Sequence, residues 1–338
     1  MSMFIFLLLF SPVFSSICDI QNFSFETDTC YTTIKPYYED YLQVSPYHRI
    51  FYAEYGNPNG IPVVVVHGGP GYGCIDSCSK FFDPSYFHII MFDQRGALKS
   101  IPCADMYDNT PQASVHDMEL LREHLNIDKW ILFGGSYGSL LSILYGETHP
   151  DRVLYFVLRG IFLGRKQDYE HLFYGMNKFF PESYQSMLNL LSAEEQSDLI
   201  TSLHKRIMNS DSSISQPIAD AFMYYDGLCS VLNPDFDDKG DQIVDLSVAR
   251  AFIHYAAHHF FLEENQLLNN IEKIKHLPAI IVHGRYDLIC PPQNAYDLYN
   301  VWPNTELWFI ENAGHSSEEK ILASALTTAM NTLKGIFI

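Results

Sequence analysis

The strongest constraint on the fold is an alternation along the chain between short, continuously apolar segments and segments with helical periodicity. Apolar runs of this length, rich in Val, Ile and Phe, are typical of parallel strands covered by helices on both faces. The pattern therefore predicts an α/β fold with a mostly parallel sheet flanked by helices. The predicted strands are 50–55, 63–66, 88–92, 129–133, 153–158, 279–282 and 306–310, and the helices include 114–125, 139–148 and 295–301.

Residues 161–271 have a different character from the rest of the chain. They are rich in Tyr, Phe, Met, Ser, His and Asn, show mostly helical periodicity and contain few strand-like runs. The strand pattern returns at Ala279. We therefore expect residues 161–271 to form a helical cap inserted into an α/β core made of residues 31–160 and 272–338.

The charge balance excludes one class of partner. The 338 residues include 40 acidic and 21 basic side chains, for a formal net charge of −19, whereas nucleic-acid binding requires clustered Lys and Arg. We therefore expect no nucleic-acid partner. An acidic protein suits an amine-bearing substrate, although net charge bears first on solubility.

The N-terminal residues bear on localisation. Residues 3–10 form the apolar run MFIFLLLF, which is too short for a membrane span because a span needs roughly 20 residues. The run has the length of a signal-peptide core, and Ser15 and Ser16 are small residues near a candidate cleavage point, but no basic residue precedes it. Residues 1–16 are thus a candidate signal segment that would direct the protein to the periplasm or outside. The alternatives are a mis-assigned start or a buried N-terminal arm.

The seven cysteines do not settle the compartment. They form no CxxC pair and no zinc-ligand spacing, and their odd number leaves at least one thiol unpaired. If the protein is exported, we expect Cys74 and Cys103 to pair, because both lie in loops that follow strands on the same side of the sheet.

A catalytic nucleophile is predicted at Ser136. Residues 134–138 are Gly-Gly-Ser-Tyr-Gly, a G-x-S-x-G motif placed between a predicted strand and a predicted helix. In that context the motif forms a nucleophile elbow, in which the serine lies on a strained turn and the glycines allow close approach. The N–H of Tyr137 would then donate to a developing oxyanion. The alternative is a glycine-rich turn without chemistry.

A serine hydroxyl needs a general base, and in this class of enzyme the acid precedes the histidine along the chain. Asp287 and His315 each follow a predicted strand, at the carboxyl ends where α/β sites are built. We predict that His315 takes the Ser136 proton and that Asp287 holds the imidazole tautomer.

Other residues compete for these roles. His283 and His149 are alternative bases, and Asp297 is an alternative acid, but Asp297 falls within a helical segment. The second oxyanion donor is expected in the His-Gly-Gly-Pro-Gly loop at 67–71, with Gly69 preferred over Gly68.

Together these motifs resemble those of the proline iminopeptidases, serine aminopeptidases of the α/β-hydrolase fold. The resemblance extends from about residue 34 to residue 316 and rests on 67–71 (HGGPG), 93–96 (DQRG), 134–138 (GGSYG), 284–287 (GRYD) and 314–315 (GH). It implies an α/β-hydrolase fold with a cap, no metal or organic cofactor, and a cytoplasmic location if residues 1–16 are not a signal. The substrate would be a small peptide with a free N-terminus, from which an N-terminal residue, usually proline, is released.

The family's cap binds the substrate amine through a glutamate in a Trp-x-x-Trp-Glu-Gly stretch. The corresponding residues here are 222–227, Phe-Met-Tyr-Tyr-Asp-Gly. The resemblance therefore implies that Asp226 binds the amine. The aromatic residues Phe222, Tyr224 and Tyr225 beside it are expected to wall the proline ring.

A second family carboxylate lies in an Ala-Arg-x-Glu-x-His-Tyr stretch, and here Phe252 stands in its place. That departure loosens the expected preference for proline. Glu263 or Glu264 is a candidate to compensate.

Two further sets of residues are expected to be structural. Arg95 of the DQRG motif is predicted to form an ion pair rather than to act in catalysis. His254, His258 and His259 include an i, i+4 pair, but no carboxylate or thiol completes a site nearby in sequence, so we expect no metal.

Three functions are consistent with these patterns. The first is the aminopeptidase, and the second is an esterase or other small-molecule hydrolase with the same triad, which Phe252 favours. The third is a catalytically silent scaffold used for binding, against which the intact Ser136, Asp287 and His315 argue. The oligomeric state does not follow from the sequence.

Overall fold

The computed structural model describes residues 20–22, 29–234 and 242–337. The candidate signal segment, residues 1–16, lies outside these residues. Within the described ranges, no helix is both long enough and apolar enough to cross a membrane.

A sheet of nine strands forms the centre of the described structure. Its order is β1-β9-β8-β7-β6-β4-β5-β3-β2, and neighbouring strands are parallel except for the pairs β2–β3 and β3–β5. The strands are β1 Ile20–Asn22, β2 Tyr38–Gln43, β3 Arg49–Gly56, β4 Ile61–Val66, β5 Phe87–Phe92, β6 Trp130–Gly135, β7 Val153–Arg159, β8 Ala279–Gly284 and β9 Thr305–Ile310. The seven predicted strands and the predicted mostly parallel sheet are confirmed.

Ten α-helices accompany the sheet in the described residues. They are α1 Pro111–His124, α2 Tyr137–Thr148, α3 Lys166–Glu170, α4 Pro181–Leu188, α5 Leu199–Ile207, α6 Ser212–Ser230, α7 Gln242–Ala257, α8 Gln266–Asn269, α9 Pro292–Val301 and α10 Lys320–Leu333. The three predicted helices correspond to α1, α2 and α9.

The alternation of side chains along each strand divides the core between the two faces of the sheet. In β4, Val64 and Val66 belong to the cluster that includes α1 and α2, whereas Val63 and Val65 pack in the cluster that includes α10. Because both faces are covered, the strands are continuously apolar, as the sequence pattern predicted.

Helices α3 to α8 lie between β7 and β8, and no strand interrupts them among the described residues of this segment. Helix α7 contacts the loop after β4, where the Ser247 hydroxyl donates to the Gly71 carbonyl at 3.0 Å. The end of α6 contacts the loop after β9, where the His315 N–H donates to the Ser230 carbonyl at 3.0 Å. This inserted segment therefore lies against loops at the carboxyl ends of the strands, where a site is expected.

Candidate active site

Ser136 occupies the turn between β6 and α2. Its φ of 58° and ψ of −128° are strained for a residue with a side chain, and its N–H donates to the Arg159 carbonyl at 2.8 Å. A side chain at Gly134 would overlap the Gly138 carbonyl, and one at Gly138 would overlap the Val66 carbonyl. The glycines of the motif thus allow α2 to begin directly above the sheet, with Ser136 at its first turn.

His315 and Asp287 are in contact in the loops that follow the neighbouring strands β9 and β8. Nδ1 of His315 lies 2.8 Å from Oδ2 of Asp287, and Oδ1 of Asp287 accepts the Cys290 N–H at 2.8 Å. Burial alone would raise the pKa of Asp287, but His315, His283 and the Cys290 N–H outweigh it and hold that pKa below its usual value. The ionised carboxylate therefore keeps the His315 proton on Nδ1 and leaves Nε2 as an acceptor.

The residues that competed for these roles have other partners. Asp297, which lies on α9, forms an ion pair with Arg165 at 2.7 Å. His283 is buried, with its two ring nitrogens near the Ile161 N–H (3.1 Å) and the Cys290 carbonyl (2.8 Å). His149 ends α2, at the opposite end of that helix from Ser136. The structure thus brings Asp287, and not Asp297, to His315.

Arg159 belongs to the same site, although no motif in the sequence indicates it. As the last residue of β7, it donates from Nη1 to the His315 carbonyl at 2.8 Å, and the same nitrogen lies 3.2 Å from His315 Nε2. Burial lowers the pKa of Arg159 in spite of the nearby Asp287. A single arginine carries no motif, and its position at the carboxyl end of a predicted strand was the only signal available.

The predicted oxyanion donors surround Ser136. Gly68, Gly69 and Tyr137 line the same cavity as the serine. Tyr137 is the first residue of α2, so its N–H has no partner within the helix. A Cβ on Gly68 would lie 3.0 Å from the Ser136 Cβ, while Gly69 adopts a φ of 107° that favours glycine. Gly69 as the second donor stays a prediction, with Gly68 as the alternative.

The HGGPG and DQRG motifs are packed together. The Gln94 N–H donates to Nε2 of His67 at 2.9 Å, and the Gln94 side chain donates to the His67 carbonyl at 2.8 Å. Arg95 forms a buried ion pair with Asp117 at 2.6 Å. The predicted structural role of Arg95 is confirmed. The two bonds between Gln94 and His67 join the motifs, so that one holds the other in place beside Ser136.

The predicted Cys74–Cys103 disulfide is absent, since both residues are free thiols. The Cys74 N–H donates to Asp93 at 2.7 Å, and its thiol faces the Val65 carbonyl at 3.7 Å. Burial raises the pKa of this thiol well above its usual value. Cys103 is exposed, so the two side chains occupy different environments although their loops follow neighbouring strands.

A cavity of about 350 Å³ opens onto Ser136 between the sheet and the inserted helices. Most of its lining is apolar. On the side of the inserted helices it is lined by Phe162, Leu172, Phe222, Val248 and Phe252, and on the side of the sheet by Ile75, Cys78, Phe81, Phe133 and Leu326. A small, mostly apolar space with a few polar groups at its centre is suited to a short or compact ligand.

Asp226 lines this cavity from α6, and Phe222 lines it one turn earlier on the same helix face. No donor group among the described residues hydrogen-bonds to the Asp226 carboxylate. Burial raises the pKa of Asp226 to about 6, with His315 opposing the effect and Asp287 adding to it. An unpaired carboxylate inside a cavity is costly in free energy unless a cation binds to it.

Tyr224 and Tyr225 are not among the residues that line the cavity, contrary to their predicted role in the wall. On the helix Tyr225 is directed about 100° away from its neighbour Asp226. Its ring packs against Tyr184, with 5.6 Å between centroids. Phe252 takes up this part of the wall instead, with its ring centroid 5.7 Å from that of Phe222.

The predicted compensating carboxylates also lie elsewhere. Glu263 and Glu264 are exposed and are not among the residues that line the cavity. Glu264 accepts the Lys166 N–H at 3.1 Å. Neither glutamate therefore replaces the carboxylate absent at position 252. Two cap carboxylates line the cavity, Asp168 and Asp226. Asp168 pairs with Arg165, whereas Asp226 has no donor among the described residues.

The histidines considered for metal binding separate into two groups. His259 bonds to the Tyr169 hydroxyl at 2.6 Å. His254 and His258 instead meet His204 of α5, which the sequence analysis did not consider. No pattern within the sequence joins His204 to residues about 50 positions away.

Comparison with known proteins places this site in context. The sequence model of the family described as alpha/beta hydrolase fold matches residues 61–317. A protein of Leptolyngbya boryana named "Probable proline iminopeptidase" is 43% identical over 305 residues, covering 88% of this chain and 95% of the relative. The proline iminopeptidase of Arabidopsis thaliana is 39% identical over 314 residues (91% and 83%), and that of Xylella fastidiosa strain 9a5c is 40% identical over 309 residues (90% and 99%).

Solved structures share the fold at low sequence identity. VinJ superposes with a TM-score of 0.62 at 16% identity, covering 89% of this chain and 99% of VinJ. The proline iminopeptidase of Mycobacterium smegmatis superposes with a TM-score of 0.57 at 14% identity, covering 88% of this chain and all of that chain (100%).

Proposed function

This chain belongs to the proline iminopeptidase family of the α/β-hydrolase fold, and we propose that it is a serine aminopeptidase that releases an N-terminal residue, preferentially proline, from small peptides. The observation that carries the proposal is the position of Asp226. Its carboxylate has no protein donor among the described residues and lines the same cavity as Ser136. An enzyme that acts only at a free N-terminus needs such a group.

Substrate recognition rests on charge and shape. The ammonium group of an N-terminal proline would pair with Asp226, and the pyrrolidine ring would pack against Phe222, Phe162 and Phe252. The first carbonyl would then lie at Ser136. A longer chain on the amine side is disfavoured because its amide carries no charge, so the Asp226 carboxylate would be left unpaired.

Acylation begins when Oγ of Ser136 attacks the carbonyl carbon and Nε2 of His315 takes the hydroxyl proton. The developing oxyanion is stabilised by the Tyr137 N–H, together with an N–H of the loop that contains Gly69. Asp287 stabilises the imidazolium. The intermediate collapses as the C–N bond breaks, and His315 returns the proton to the leaving amine, which leaves an ester on Ser136.

Deacylation repeats these steps with water as the nucleophile. His315 removes a proton from the water, the hydroxide attacks the ester carbon, and the proton passes to Oγ of Ser136 as free proline leaves. Apart from water, the groups that these steps require are side chains and backbone amides of this chain, so the proposed mechanism needs no cofactor.

One observation favours an esterase as the alternative function. Phe252 lines the cavity where the family has a second carboxylate. The other cap carboxylate in the lining, Asp168, pairs with Arg165. With Asp226 as the carboxylate left to bind an amine, an acyl group without an amine would lose less on binding here than in a relative with two such carboxylates.

A substrate panel tests the proposal. The purified full chain would be assayed on prolyl, alanyl and leucyl arylamides, on acetyl-prolyl arylamide and on a simple acyl ester, with Ser136→Ala as the blank. We expect prolyl arylamide to have the highest kcat/KM and the acetylated form to be inert. Faster turnover of the acetylated form or the ester than of prolyl arylamide would favour the esterase.

A further inference from the structure

Three histidines of the inserted helices converge at a point separate from the active-site cavity. His204 lies in the last turn of α5, His254 lies in the last turn of α7, and His258 follows α7. One ring nitrogen from each lies within 4.8 Å of the others, and Nε2 of His204 is 3.1 Å from Nδ1 of His254. None of the three lines the active-site cavity.

The spacing of the two nearest nitrogens matches that of ligands on one ion. Nitrogen ligands bind zinc at about 2.0–2.1 Å in a tetrahedral arrangement, which separates neighbouring ligands by about 3.3 Å. Without an ion, His204 and His254 can share only one proton between two nitrogens. A metal ion would use both lone pairs at nearly the same separation.

His258 is oriented as metal-binding histidines usually are. Its Nδ1–H donates to the His254 carbonyl at 2.7 Å. That bond places the free lone pair on Nε2 and fixes the direction of the ring, as a backbone acceptor commonly does for a histidine ligand.

The surroundings support a stable site with an open path. The ring of Phe261 stacks on His258 at 5.1 Å between centroids and lies 5.6 Å from His254. His258 is exposed, which gives an ion access from solvent.

We propose that His204, His254 and His258 bind one divalent transition-metal ion of the zinc class, with water in the fourth position. Three imidazoles and no carboxylate or thiol among the described residues of the cluster favour zinc, nickel or copper over magnesium or calcium. The ion would join α5 to α7. Because α7 also carries Val248 and Phe252 of the active-site wall, the ion would stiffen that wall without entering the chemistry. This inference does not depend on the proposed activity.

Direct binding tests the site. The full chain, freed of any affinity tag and stripped with EDTA, would be titrated with Zn²⁺ by calorimetry and with Co²⁺ by visible absorption. We expect one ion per chain and the intense visible bands of tetrahedral Co²⁺. His258→Gln and His204→Gln should each weaken binding at least about 10-fold, since even loss of an outer-shell partner costs that much. His276→Gln is the control, because His276 is exposed and outside the cluster.

A stability measurement distinguishes this site from scattered surface binding. Zn²⁺ should raise the Tm of the wild type and of His276→Gln, but not that of His258→Gln, because an ion that binds only the folded state stabilises it. EDTA should leave kcat on prolyl arylamide unchanged. Absence of stoichiometric binding, or equal affinity in all three variants and the wild type, would overturn the proposal. If His204→Gln fails to fold, the exposed His258→Gln still decides the question.

Discussion

Nη1 of Arg159 lies 3.2 Å from Nε2 of His315 and donates to the carbonyl of the same histidine at 2.8 Å. Since Asp287 holds the proton on Nδ1, Nε2 presents its lone pair to the guanidinium. In the proposed mechanism, that lone pair receives the Ser136 proton during acylation. Arg159 therefore holds the base in its ready tautomer and position. In the proposed mechanism it would also compete with Ser136 for Nε2, and the two would exchange as the reaction begins.

Replacing Arg159 by Met should reduce kcat/KM on every substrate. The variant removes the donor that braces the His315 loop and leaves a buried carbonyl unpaired, which costs roughly 1–3 kcal/mol, or about 5- to 150-fold by the usual conversion. The loss should be similar for amine and ester substrates, because Arg159 acts through His315. Wild-type kcat/KM in a variant with an unchanged circular dichroism spectrum would show that the contact has no role in turnover.

Ser136→Ala should abolish turnover while leaving the fold intact. Loss of a triad nucleophile leaves only oxyanion stabilisation and binding, roughly 10³–10⁴-fold over water. A fluorophosphonate probe should label the wild type and not the variant. Normal activity in a correctly folded Ser136→Ala protein would remove this residue from the mechanism.

Asp226→Asn should discriminate between substrates with and without an amine. Truncating one partner of a buried charge pair costs about 2–5 kcal/mol, so kcat/KM on prolyl arylamide should fall roughly 30-fold or more. An uncharged acyl ester should change little. Asp220→Asn is the matched control, since Asp220 is exposed on the same helix and bonds to Gln216. Equal losses on both substrates, or none, would show that Asp226 does not bind the amine.

The pH dependence of selectivity should report the same carboxylate. The pKa of Asp226 is raised to about 6, so below that pH the free enzyme loses the charge that binds an ammonium group. The ratio of kcat/KM for prolyl arylamide to that for the ester should therefore fall as pH drops from 7 to 5. Any effect of pH on the groups that both substrates share cancels in the ratio. In Asp226→Asn the ratio should be flat, and a wild-type ratio independent of pH would contradict the assignment.

We expect the Asp226 carboxylate to lower the free energy of unfolding at neutral pH. Its folded pKa is raised from 3.8 to about 6, so the folded state binds more protons than the unfolded state in that window and stability falls as pH rises through it. The full difference corresponds to up to about 3 kcal/mol. Asp226→Asn should thus have a higher Tm than the wild type at pH 7.5, with the gap closing near pH 4. A lower Tm at pH 7.5 would mean that an unrecognised partner satisfies the carboxylate.

The parts of the fold that the sequence predicts are those with a clear pattern of apolar residues close along the chain. Strands such as β4 and β8 are buried on both faces, so their apolar character shows directly in the sequence. The edge strand β2 was missed because nearly all of its residues, Tyr-Glu-Asp-Tyr-Leu-Gln, are exposed. An edge strand needs only one neighbour and no buried face, so its sequence carries little signal.

The sequence by itself determined the elbow at Ser136 and the candidates Asp287 and His315, because each depends on residues close along the chain: a strand, a turn that only glycine permits, and a helix start. Tertiary structure alone decided which side chains meet. Arg159 and His315 are 156 positions apart, and His204 and His254 are 50 apart. Tyr225, next to Asp226 in sequence, faces another way. Contacts of this kind depend on how distant elements pack and on the helical rotation between neighbours, and no local pattern records either.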